Sequence, residues 1–426
     1  MTYEEYLLNK RPYQEDGEIL LMTEKHACLF YKPGKGKTYP AITAMRNVAM
    51  NGKVLILSTA NAINNMWNSE IVPQNILPKD TVLMTINSAI LEPYKSKLMK
   101  IKWDVILVDE CHKIKSHNSK ISKLVHMLTK KCEYAWGLTG TPIGNSDVDI
   151  YCQFHNLNVS EWGNIPYTTF IDTTCDTEKS YYGGNQILKV IGITKKYRAG
   201  WERNISMYSQ RVDYDDDDNM PLLTENPEVI LPYEPSKEYN DALQGIISIE
   251  DYESTVIKLA AIQKAHQAVN GFLYYTDEKT LKRNVYRFEH NIKIDWLLKN
   301  LTNEPTVIVY RHVEDMEYIQ TYFKNCTESI DDFKLGTNNI LLLQCSQCES
   351  FNLQMCNKMI FYTIDYSYIK YIQMVHRIWR TGQDMDVDIK VLLFKDTIEE
   401  DIWNKVKNKK RMSDLFMNLK RSIFNG

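Results

Sequence analysis

The sequence lacks any apolar run long enough to cross a membrane, and its longest apolar runs are strand-sized pieces such as VLILS at 54–58. Its first residues, MTYEEYLLNKRP, carry acids where a signal peptide needs a basic end followed by an apolar stretch. A strong net charge is also missing, because 51 basic and 54 acidic side chains leave −3 at pH 7, which gives no global attraction to a polyanion. These absences predict a protein without a membrane partner that stays in the cytoplasm.

Paired cysteines are scarce as well. Nine cysteines, an odd number, are scattered along 426 residues, and this suits a reducing compartment better than a disulfide framework. Cys345 and Cys348 form one C-x-x-C with Cys356 nearby, but no second pair stands at the spacing of a zinc site. We therefore predict small buried side chains at these positions and no metal centre.

Charge of one sign is concentrated only locally. Ten lysines against three acids lie between 95 and 131, and seven basic residues against one acid lie between 405 and 421. The run DYDDDD at 213–218 is acidic, and no function follows from the sequence of this run. Because charge runs are usually solvated surface, the basic stretches permit a polyanion partner without predicting one.

What is present is an alternation of short apolar strands with helix-length amphipathic segments, which indicates an α/β fold with mostly parallel sheets. The length predicts two domains, which we place at 1–211 and 228–426, with a linker at 212–227. Residues 160–210 form either an insertion or a cover over the first sheet. The predicted strands are ACLFY, VLILS, TVLMTI, DVILVDE and YAWGLT in the first half, and EVILPY, TVIVYR, ILLLQ, MIFYTI and IKVLLF in the second.

A glycine-rich loop lies between the first strand and a helix, in KPGKGKTYPAITAMRNVA. Gly34 and Gly36 let the backbone curl its N–H groups toward a phosphate, Lys37 brings a positive charge, and Thr38 offers a hydroxyl to Mg²⁺. The helix that follows adds the partial positive charge of its N-terminus. Tyr31 departs from the pattern, which has glycine or a small residue at that position.

Two adjacent carboxylates, Asp109 and Glu110, end the apolar strand in VILVDECHKIKS. In open parallel sheets ligands bind beyond the carboxyl ends of the strands, where the glycine-rich loop also lies. If the two strands are close in one sheet, Asp109 faces the Mg²⁺ held by Thr38, and Glu110 orients the attacking water. An exposed strand end is the alternative interpretation of this pair.

The segment YIKYIQMVHRIWRTGQ at 368–383 has the pattern of a helix that Gly382 ends. Gln373, Arg377 and Arg380 follow at i, i+4 and i+7, which predicts that they share one face. Taken alone, this face is a solvated basic surface. In a two-domain nucleotide hydrolase it could instead project arginines across the cleft to neutralise charge that develops on the transferred phosphate.

Together these segments resemble a known family. PGKGKT, VDECHKIKS, GLTGTPIGN and QMVHRIWRTGQ, in that order, resemble motifs I, II, III and VI of superfamily 2 helicases, and specifically of the Snf-type branch of DNA translocases. Weaker resemblances are RPYQ to the adenine-binding Q motif, VLILSTANAINNMW to motif Ia, VIVYRHVEDMEYI to motif IV and ESFNLQMC to motif V. The resemblance extends from about residue 10 to 405.

The resemblance implies two RecA-like P-loop NTPase domains with mostly parallel sheets, which close on ATP and Mg²⁺ in a cleft between them. It implies catalytic roles for Lys37, Asp109, Glu110, Arg377 and Arg380, and Mg²⁺ ligation by Thr38 and Asp109. ATP-binding candidates are Gln14, Gly34, Lys35, Gly36, Lys37 and Thr38, and coupling candidates are His112, Thr139, Thr141 and Gln373. Candidate nucleic-acid contacts are Ser58, Thr59, Trp67, Thr85 and Arg311.

Besides Tyr31, the sequence departs from the family pattern at two further motif positions. Ser350 stands where motif V usually has glycine, and Cys111 replaces the commoner alanine in motif II. The chain also has none of the large insertions of chromatin remodellers, which points to a compact phage, viral or bacterial form.

The predicted function is an ATP hydrolase that moves along DNA, with duplex DNA as the first choice of substrate. We predict that it acts as a monomer in replication, recombination or repair. Two alternatives stay open. One is a helicase that separates strands of DNA or RNA, with single-stranded DNA or RNA as its partner. The other is a nucleic-acid clamp or scaffold that binds ATP without productive cycling. No protein partner can be predicted.

Overall fold

A computed structural model of the protein describes residues 2–182, 185–215, 220–249, 252–255, 258–276, 282–347 and 352–417. The chain forms two compact units. Unit 1 contains residues 1–218 and the residues from 409 onward, and unit 2 contains 219–348 and 352–408. The first passage from one unit to the other thus falls inside the segment predicted as linker. Across the described residues, every helix is too short or too polar to span a membrane.

Unit 1 is built on a six-stranded sheet in the order β3-β2-β4-β5-β1-β8, in which every neighbouring pair is parallel. The five strands predicted in the first half are present. The strands of unit 1 are β1 His26–Tyr31, β2 Lys53–Ser58, β3 Asp80–Thr85, β4 Val105–Asp109, β5 Tyr134–Leu138, β6 Cys175–Tyr182, β7 Asn185–Ile193 and β8 Ser209–Val212.

Helices cover both faces of this sheet, because successive residues of each strand point to opposite sides and both sides are apolar. In β1, Cys28 and Phe30 belong to one buried cluster, whereas Ala27, Leu29 and Tyr31 belong to the other. The helices of unit 1 are α1 Tyr3–Asn9, α2 Pro12–Glu24, α3 Thr38–Ala49, α4 Ala60–Ala62 (continued by wider turns over Ile63–Ile71), α5 Ile86–Ala89, α6 Tyr94–Lys100, α7 Lys120–Thr129, α8 Val148–Asn156, α9 Tyr167–Thr174 and α10 Lys195–Tyr208.

Residues 160–212 form part of the core of unit 1. Trp162, Phe170 and Trp201 are buried in the cluster that also contains Phe30 of the sheet, and the rings of Trp162 and Trp201 stack with centroids 4.9 Å apart. Strands β6 and β7 form an antiparallel hairpin. The segment ends in β8, an edge strand that its polar sequence SQRV did not reveal.

Unit 2 repeats this architecture with a second sheet, in the order β15-β16-β14-β17-β18-β9, again with parallel neighbours throughout. All five strands predicted in the second half are present. Two antiparallel hairpins accompany the sheet. The strands are β9 Glu228–Leu231, β10 Ile246–Ile249, β11 Tyr252–Thr255, β12 Phe272–Thr276, β13 Arg283–Arg287, β14 Thr306–Tyr310, β15 Cys326–Thr327, β16 Ile340–Gln344, β17 Lys358–Phe361 and β18 Asp388–Phe394.

Seven helices of the described residues pack around this second sheet or follow it. One of them corrects a prediction, since the helix expected over 368–383 ends at Ile378. The helices are α11 Lys237–Leu243, α12 Lys258–Val269, α13 Ile292–Asn300, α14 Val313–Tyr322, α15 Ile330–Lys334, α16 Tyr368–Ile378 and α17 Ile398–Met417.

A buried ion pair and its neighbouring hydrogen bonds join four segments of unit 2. The ammonium group of Lys293 on α13 donates to Glu399 Oε1 at 2.6 Å, to the carbonyl of Tyr362 at 2.7 Å and to Asn270 Oδ1 at 2.8 Å. Lys293 and Glu399 are both fully buried. All three protons of the ammonium group are thus satisfied in the interior, where an unpaired charge would be strongly unfavourable.

We expect Lys293→Met to lower the free energy of unfolding of unit 2 by about 3–5 kcal/mol, because it leaves the buried carboxylate of Glu399 without its counter-charge. Equilibrium urea unfolding measures this change. Lys299→Met, at an exposed position of the same helix, is the control. A loss in Lys293→Met no larger than that of the control would show that the pair does not hold unit 2 together.

Candidate active site

The glycine-rich loop of unit 1 spans residues 32–37, between the end of β1 and the start of α3 at Thr38. Gly34 and Gly36 have φ values of 87° and 69°, a region that side chains with a Cβ rarely adopt. A Cβ at Gly36 would also lie 2.6 Å from the amide nitrogen of Gln14. The loop shape therefore requires glycine at the two positions where the sequence predicted it.

Gln14, predicted to bind adenine, lies against this loop on α2. Its Nε2 donates to the carbonyls of Gly36 at 3.2 Å and Lys35 at 3.4 Å, and its Oε1 accepts from the backbone N–H of Arg11 at 2.9 Å. Tyr13 donates its hydroxyl to the Lys35 carbonyl at 3.1 Å. In this structure Gln14 thus fixes the loop, and adenine binding by its side chain stays a prediction.

Tyr31, the residue that departs from the phosphate-loop pattern, belongs to the core. Its hydroxyl donates to the Tyr13 carbonyl at 3.0 Å and to Gln210 Oε1 at 2.5 Å. The ring is fully buried beneath α2, where a Cβ at Gly17 would lie only 2.2 Å from the hydroxyl. The large side chain is compatible with the loop because it packs under Gly17 and not among the loop amides.

The two carboxylates at the end of β4 lie next to the glycine-rich loop, as the sequence predicted. Lys37 Nζ is 3.8 Å from Glu110 Oε1. The two side chains can lie this close because only one strand, β5, separates β1 from β4 in the sheet. Glu110 has φ 57° and ψ 52°, a left-handed conformation that is strained for a residue with a Cβ. Because of this sharp turn directly after β4, the carboxylates of Asp109 and Glu110 point in different directions.

Glu110 is held by two further hydrogen-bond donors. Thr139 donates its hydroxyl to Glu110 Oε2 at 3.0 Å, and His112 Nδ1 lies 3.1 Å from the same oxygen and 3.0 Å from the Thr139 hydroxyl. Burial raises the pKa of Glu110, but the charge of Lys37 and the contact with His112 outweigh it and leave this pKa below its usual range. Glu110 is therefore ionised and fixed, with Oε1 directed at Lys37.

Asp109 is held from the other side, and its partners correct two predictions. Its Oδ2 accepts from the Ser58 hydroxyl at 2.9 Å and from the indole N–H of Trp67 at 3.1 Å. Ser58 and Trp67, predicted as nucleic-acid contacts, are both fully buried. Ser58 ends β2, next to β4, and the turns after α4 direct the indole of Trp67 inward. Their side chains orient Asp109 and are not available to a nucleic acid in this structure.

Burial also raises the pKa of Asp109, and the negative charge of Glu110 raises it further, while Lys37, Trp67 and Ser58 oppose the rise. A buried carboxylate with too little positive charge around it is suited to a cation. The chemistry of the donors fits Mg²⁺, because the carboxylate of Asp109 and the hydroxyl of Thr38 are oxygen ligands.

The LTGTP segment after β5 touches both the loop and the carboxylates. Thr139 donates its backbone N–H to the Leu29 carbonyl at 3.1 Å and receives the N–H of Thr141 on its hydroxyl at 3.2 Å. A Cβ at Gly140 would lie 2.9 Å from Pro33 Cδ, so this glycine permits close contact with the root of the loop. The Thr141 hydroxyl is buried and has no hydrogen-bond partner among the described residues.

Two residues of α8 that the sequence did not single out hold this segment. Gln153 donates Nε2 to the Pro142 carbonyl at 2.7 Å and accepts the thiol of Cys111 at 3.2 Å. Asp149 accepts the N–H groups of Gly144 and Asn145, both at 2.7 Å. Their signal in the sequence is slight: two polar residues at i and i+4 in a helix whose other residues are apolar up to Phe154.

Two other nucleic-acid candidates of unit 1 lie at the carboxyl edge of the sheet. Thr59 follows β2 and caps α4 by accepting the N–H of Ala62, and Thr85 ends β3 and caps α5 by accepting the N–H of Ser88. Both are partly exposed. Their position fits a contact with a ligand at this edge, and their role stays a prediction.

The remaining candidates lie in unit 2. Arg377 is on α16 and donates Nε to the Gln373 carbonyl at 3.1 Å, and Gln373 itself is buried. Arg380 lies beyond the end of α16, where Trp379 has extended backbone angles. The prediction that Arg380 shares a helical face with Gln373 and Arg377 is therefore wrong. The helix stops before it.

The turn that contains Arg380 is fixed by a residue outside the predicted site. Gln383 is buried and donates Nε2 to the carbonyls of Cys356 at 3.0 Å and Ile378 at 3.1 Å. Arg311 is partly exposed, with Nη1 3.3 Å from His266 Nδ1 and its guanidinium over the ring of Tyr366. Ser350 and Cys348 lie outside the described residues.

The comparison with protein families agrees with this geometry. Residues 71–192 match the model of the SNF2-related domain. The chain is similar to SNF2-related proteins over this segment. It is an ATP-hydrolysing enzyme of the helicase and translocase class, as the motifs predicted.

Three relatives align over most of the chain. The uncharacterized ATP-dependent helicase YqhH of Bacillus subtilis is 24% identical over 88% of this chain and 73% of its own length. The SWI/SNF-related regulator of chromatin subfamily A-like protein 1 of Drosophila melanogaster is 22% identical over 94% of this chain, which spans 55% of that relative. Putative protein p41 of Acyrthosiphon pisum secondary endosymbiont phage 1 is 23% identical, over 96% of this chain and 97% of its own.

Among solved structures, a SWI2/SNF2 ATPase core from Sulfolobus solfataricus in complex with double-stranded DNA is 19% identical, with a TM-score of 0.41. The match covers 96% of this chain and 95% of that one.

The inward position of Trp67 in this chain can be tested. We expect Trp67→Phe to lower the maximal ATP turnover about tenfold, because Asp109 loses a charge-assisted hydrogen bond, while affinity for nucleic acid is kept. Trp103→Phe is the matched control, because it removes an equally buried indole that donates to the Leu98 carbonyl instead. Normal turnover combined with weakened nucleic-acid binding would favour the surface role over the one observed.

Proposed function

We propose that this protein is an ATP-dependent motor that moves along DNA, most specifically duplex DNA, in replication, recombination or repair, in the cytoplasm of a bacterial cell or of a cell infected by a virus or phage. The observation that carries the proposal is the contact between Lys37 and Glu110, with Thr139 and His112 on the opposite side of the same carboxylate. This contact links the residues proposed to act in ATP hydrolysis, Lys37 and Glu110, to the residues proposed to couple hydrolysis to movement, Thr139 and His112.

In the proposed site, the N–H groups of Gly34, Lys35 and Gly36 and the charge of Lys37 hold the phosphates of ATP. Thr38 and Asp109 would hold the Mg²⁺, which neutralises charge on the phosphate oxygens when bound. Ser58 and Trp67 keep Asp109 turned toward that cation.

Glu110 is the residue proposed to orient the attacking water. Its low pKa keeps it ionised, so that it can accept a hydrogen bond from water. The arginines Arg377 and Arg380 are proposed to stabilise charge that develops on the transferred phosphate, for which the planar guanidinium is better suited than an ammonium group.

Coupling to nucleic acid is proposed to run through the LTGTP segment. Thr139 donates a hydrogen bond to Glu110, and the backbone N–H of Thr141 donates to Thr139. A shift of Glu110 on loss of the terminal phosphate can therefore move Thr139 and, through it, Thr141. The buried Thr141 hydroxyl has an unused hydrogen-bonding capacity that a shifted segment could satisfy.

DNA is the proposed partner for two reasons. Relatives are named as an ATP-dependent helicase and a regulator of chromatin. In addition, Lys113, Lys120 and Lys123 are exposed on the segments that follow the carboxyl end of β4. Not all lysines of the basic stretch lie at this edge of the sheet. Lys130 and Lys131 precede β5 and therefore lie near its amino end, on the opposite edge.

A helicase that separates strands of DNA or RNA is the alternative function, since its ATP site would be the same. Two departures from the family pattern, Tyr31 and Ser350, are the support for the non-cycling clamp. Tyr31 no longer supports it, because this side chain lies in the core away from the loop amides.

ATP hydrolysis measured with duplex DNA, single-stranded DNA or RNA as stimulant distinguishes these functions. We expect duplex DNA to raise turnover most, with displacement of a third strand from a triplex but without separation of the duplex. The Lys37→Ala variant sets the background, because it removes the charge that holds the phosphates; Lys130→Ala, an exposed lysine at the other end of the sheet, serves as its control. Separation of duplex strands would favour the helicase, and the absence of stimulated turnover would favour the clamp.

We expect Arg380→Ala to bind ATP with near-normal affinity and to hydrolyse it about a thousandfold more slowly, because a guanidinium acting on the transition state contributes to the rate and little to ground-state binding. Arg380→Lys keeps the charge but loses the planar fork, and an intermediate rate is expected. Single-turnover hydrolysis and ATP titration measure the two effects separately. An unchanged rate in Arg380→Ala would refute the arginine-finger role.

A further inference from the structure

The first three residues of the acidic run, for which the sequence indicated no function, lie against the glycine-rich loop. Asp215 Oδ2 accepts from Lys35 Nζ at 3.1 Å, and Tyr214 donates its hydroxyl to the Pro33 carbonyl at 2.7 Å. Asp213 Oδ1 lies 4.0 Å from Lys32 Nζ. Three consecutive residues thus contact three residues of the loop.

The fold produces this arrangement through the edge strand β8. It pairs in parallel with β1, so that Val212 is in register with Tyr31, the last residue before the loop. The backbone N–H of Lys32 then donates to the Val212 carbonyl at 3.0 Å. The chain leaves β8 at the point where the loop leaves β1, and the two segments continue side by side.

Among the described residues, the shortest ion pair between the acidic run and the loop is that of Lys35 with Asp215. The side chain of Lys35 is 1% exposed, whereas that of Asp215 is 53% exposed. The Lys35 ammonium group lies 5.3 Å from the centre of the Tyr13 ring and pairs with Asp215, while Lys37 faces Glu110. Lys35 and Lys37 of the loop therefore pair with different carboxylates, and the carboxylate that pairs with Lys35 comes from the acidic run.

We propose that residues 213–215, which we call the acidic strap, hold the glycine-rich loop in its nucleotide-binding shape by giving the buried Lys35 its counter-charge and the Pro33 carbonyl its donor. Asp213 and Tyr214 position the loop, and Asp215 neutralises Lys35, so that Lys37 is the lysine presented to phosphate. The inference rests on the proposed function, since it concerns affinity for ATP at that same loop.

The test is a titration of the full chain with ATP and Mg²⁺ by calorimetry, together with steady-state turnover. We expect Asp215→Asn to raise the Kd for ATP about tenfold, because the buried ammonium group loses its counter-charge and the loop rearranges to bring it to water. Tyr214→Phe, which removes one hydrogen bond, is expected to raise the Kd by about threefold. Both changes should appear in KM more than in kcat, as a defect in loop positioning requires.

Adding Lys35→Met to Asp215→Asn supplies the decisive comparison. The double variant should recover most of the lost affinity, because the ammonium group that needed a counter-charge is gone. Asp172→Asn, at an exposed position of α9, is the control. An Asp215→Asn variant with the Kd of the control, or a double variant as weak as Asp215→Asn, would overturn the strap. If Lys37→Ala also bound ATP normally, the loop would not be the ATP site, and the proposed function would fail with it.

Discussion

The site depends on one electrostatic constraint, which is that two adjacent carboxylates must coexist at the end of β4. Asp109 is buried and Glu110 is half-buried, and the two repel each other, so each needs its own compensation. Glu110 receives it from Lys37, His112 and Thr139. Among the described residues, Asp109 is in direct contact only with neutral donors: the Ser58 hydroxyl, the Trp67 indole and the backbone N–H of Glu110. The difference leaves one carboxylate ionised within the protein and the other suited to a metal cation.

This constraint explains why so many loops of unit 1 meet at one edge of the sheet. Each compensating group comes from the carboxyl end of a strand or from the segment after it: Ser58 from β2, Lys37 from the loop after β1, and Thr139 from the segment after β5. In a parallel sheet all these ends lie on the same side. Buried polar residues of the surrounding helices, such as Gln14, Asp149 and Gln153, then fix the loops by hydrogen bonds to their backbone.

Charge in this protein acts through local pairing and not through a general field. The basic stretch at 95–131 is divided between the two ends of β4 and β5, so that it does not form a single surface. The acidic run, which by composition is only solvated surface, supplies the counter-charge of Lys35 and a donor to Pro33. Unit 2 follows the same rule, because its buried Lys293 is satisfied by one carboxylate and two neutral acceptors.

The sequence by itself determined the ten predicted strands, the mostly parallel sheets, the glycine-rich loop and the position of the two carboxylates at the same edge of the sheet as that loop. Apolar periodicity and glycine placement are local properties, and the topology of parallel sheets converts them into position. Only the tertiary structure decided which way individual side chains turn. Ser58 and Trp67 face inward because Asp109 is beside them, Lys35 turns to Asp215, and α16 ends before Arg380. These outcomes depend on neighbours distant in the chain, and no pattern of spacing contains that information.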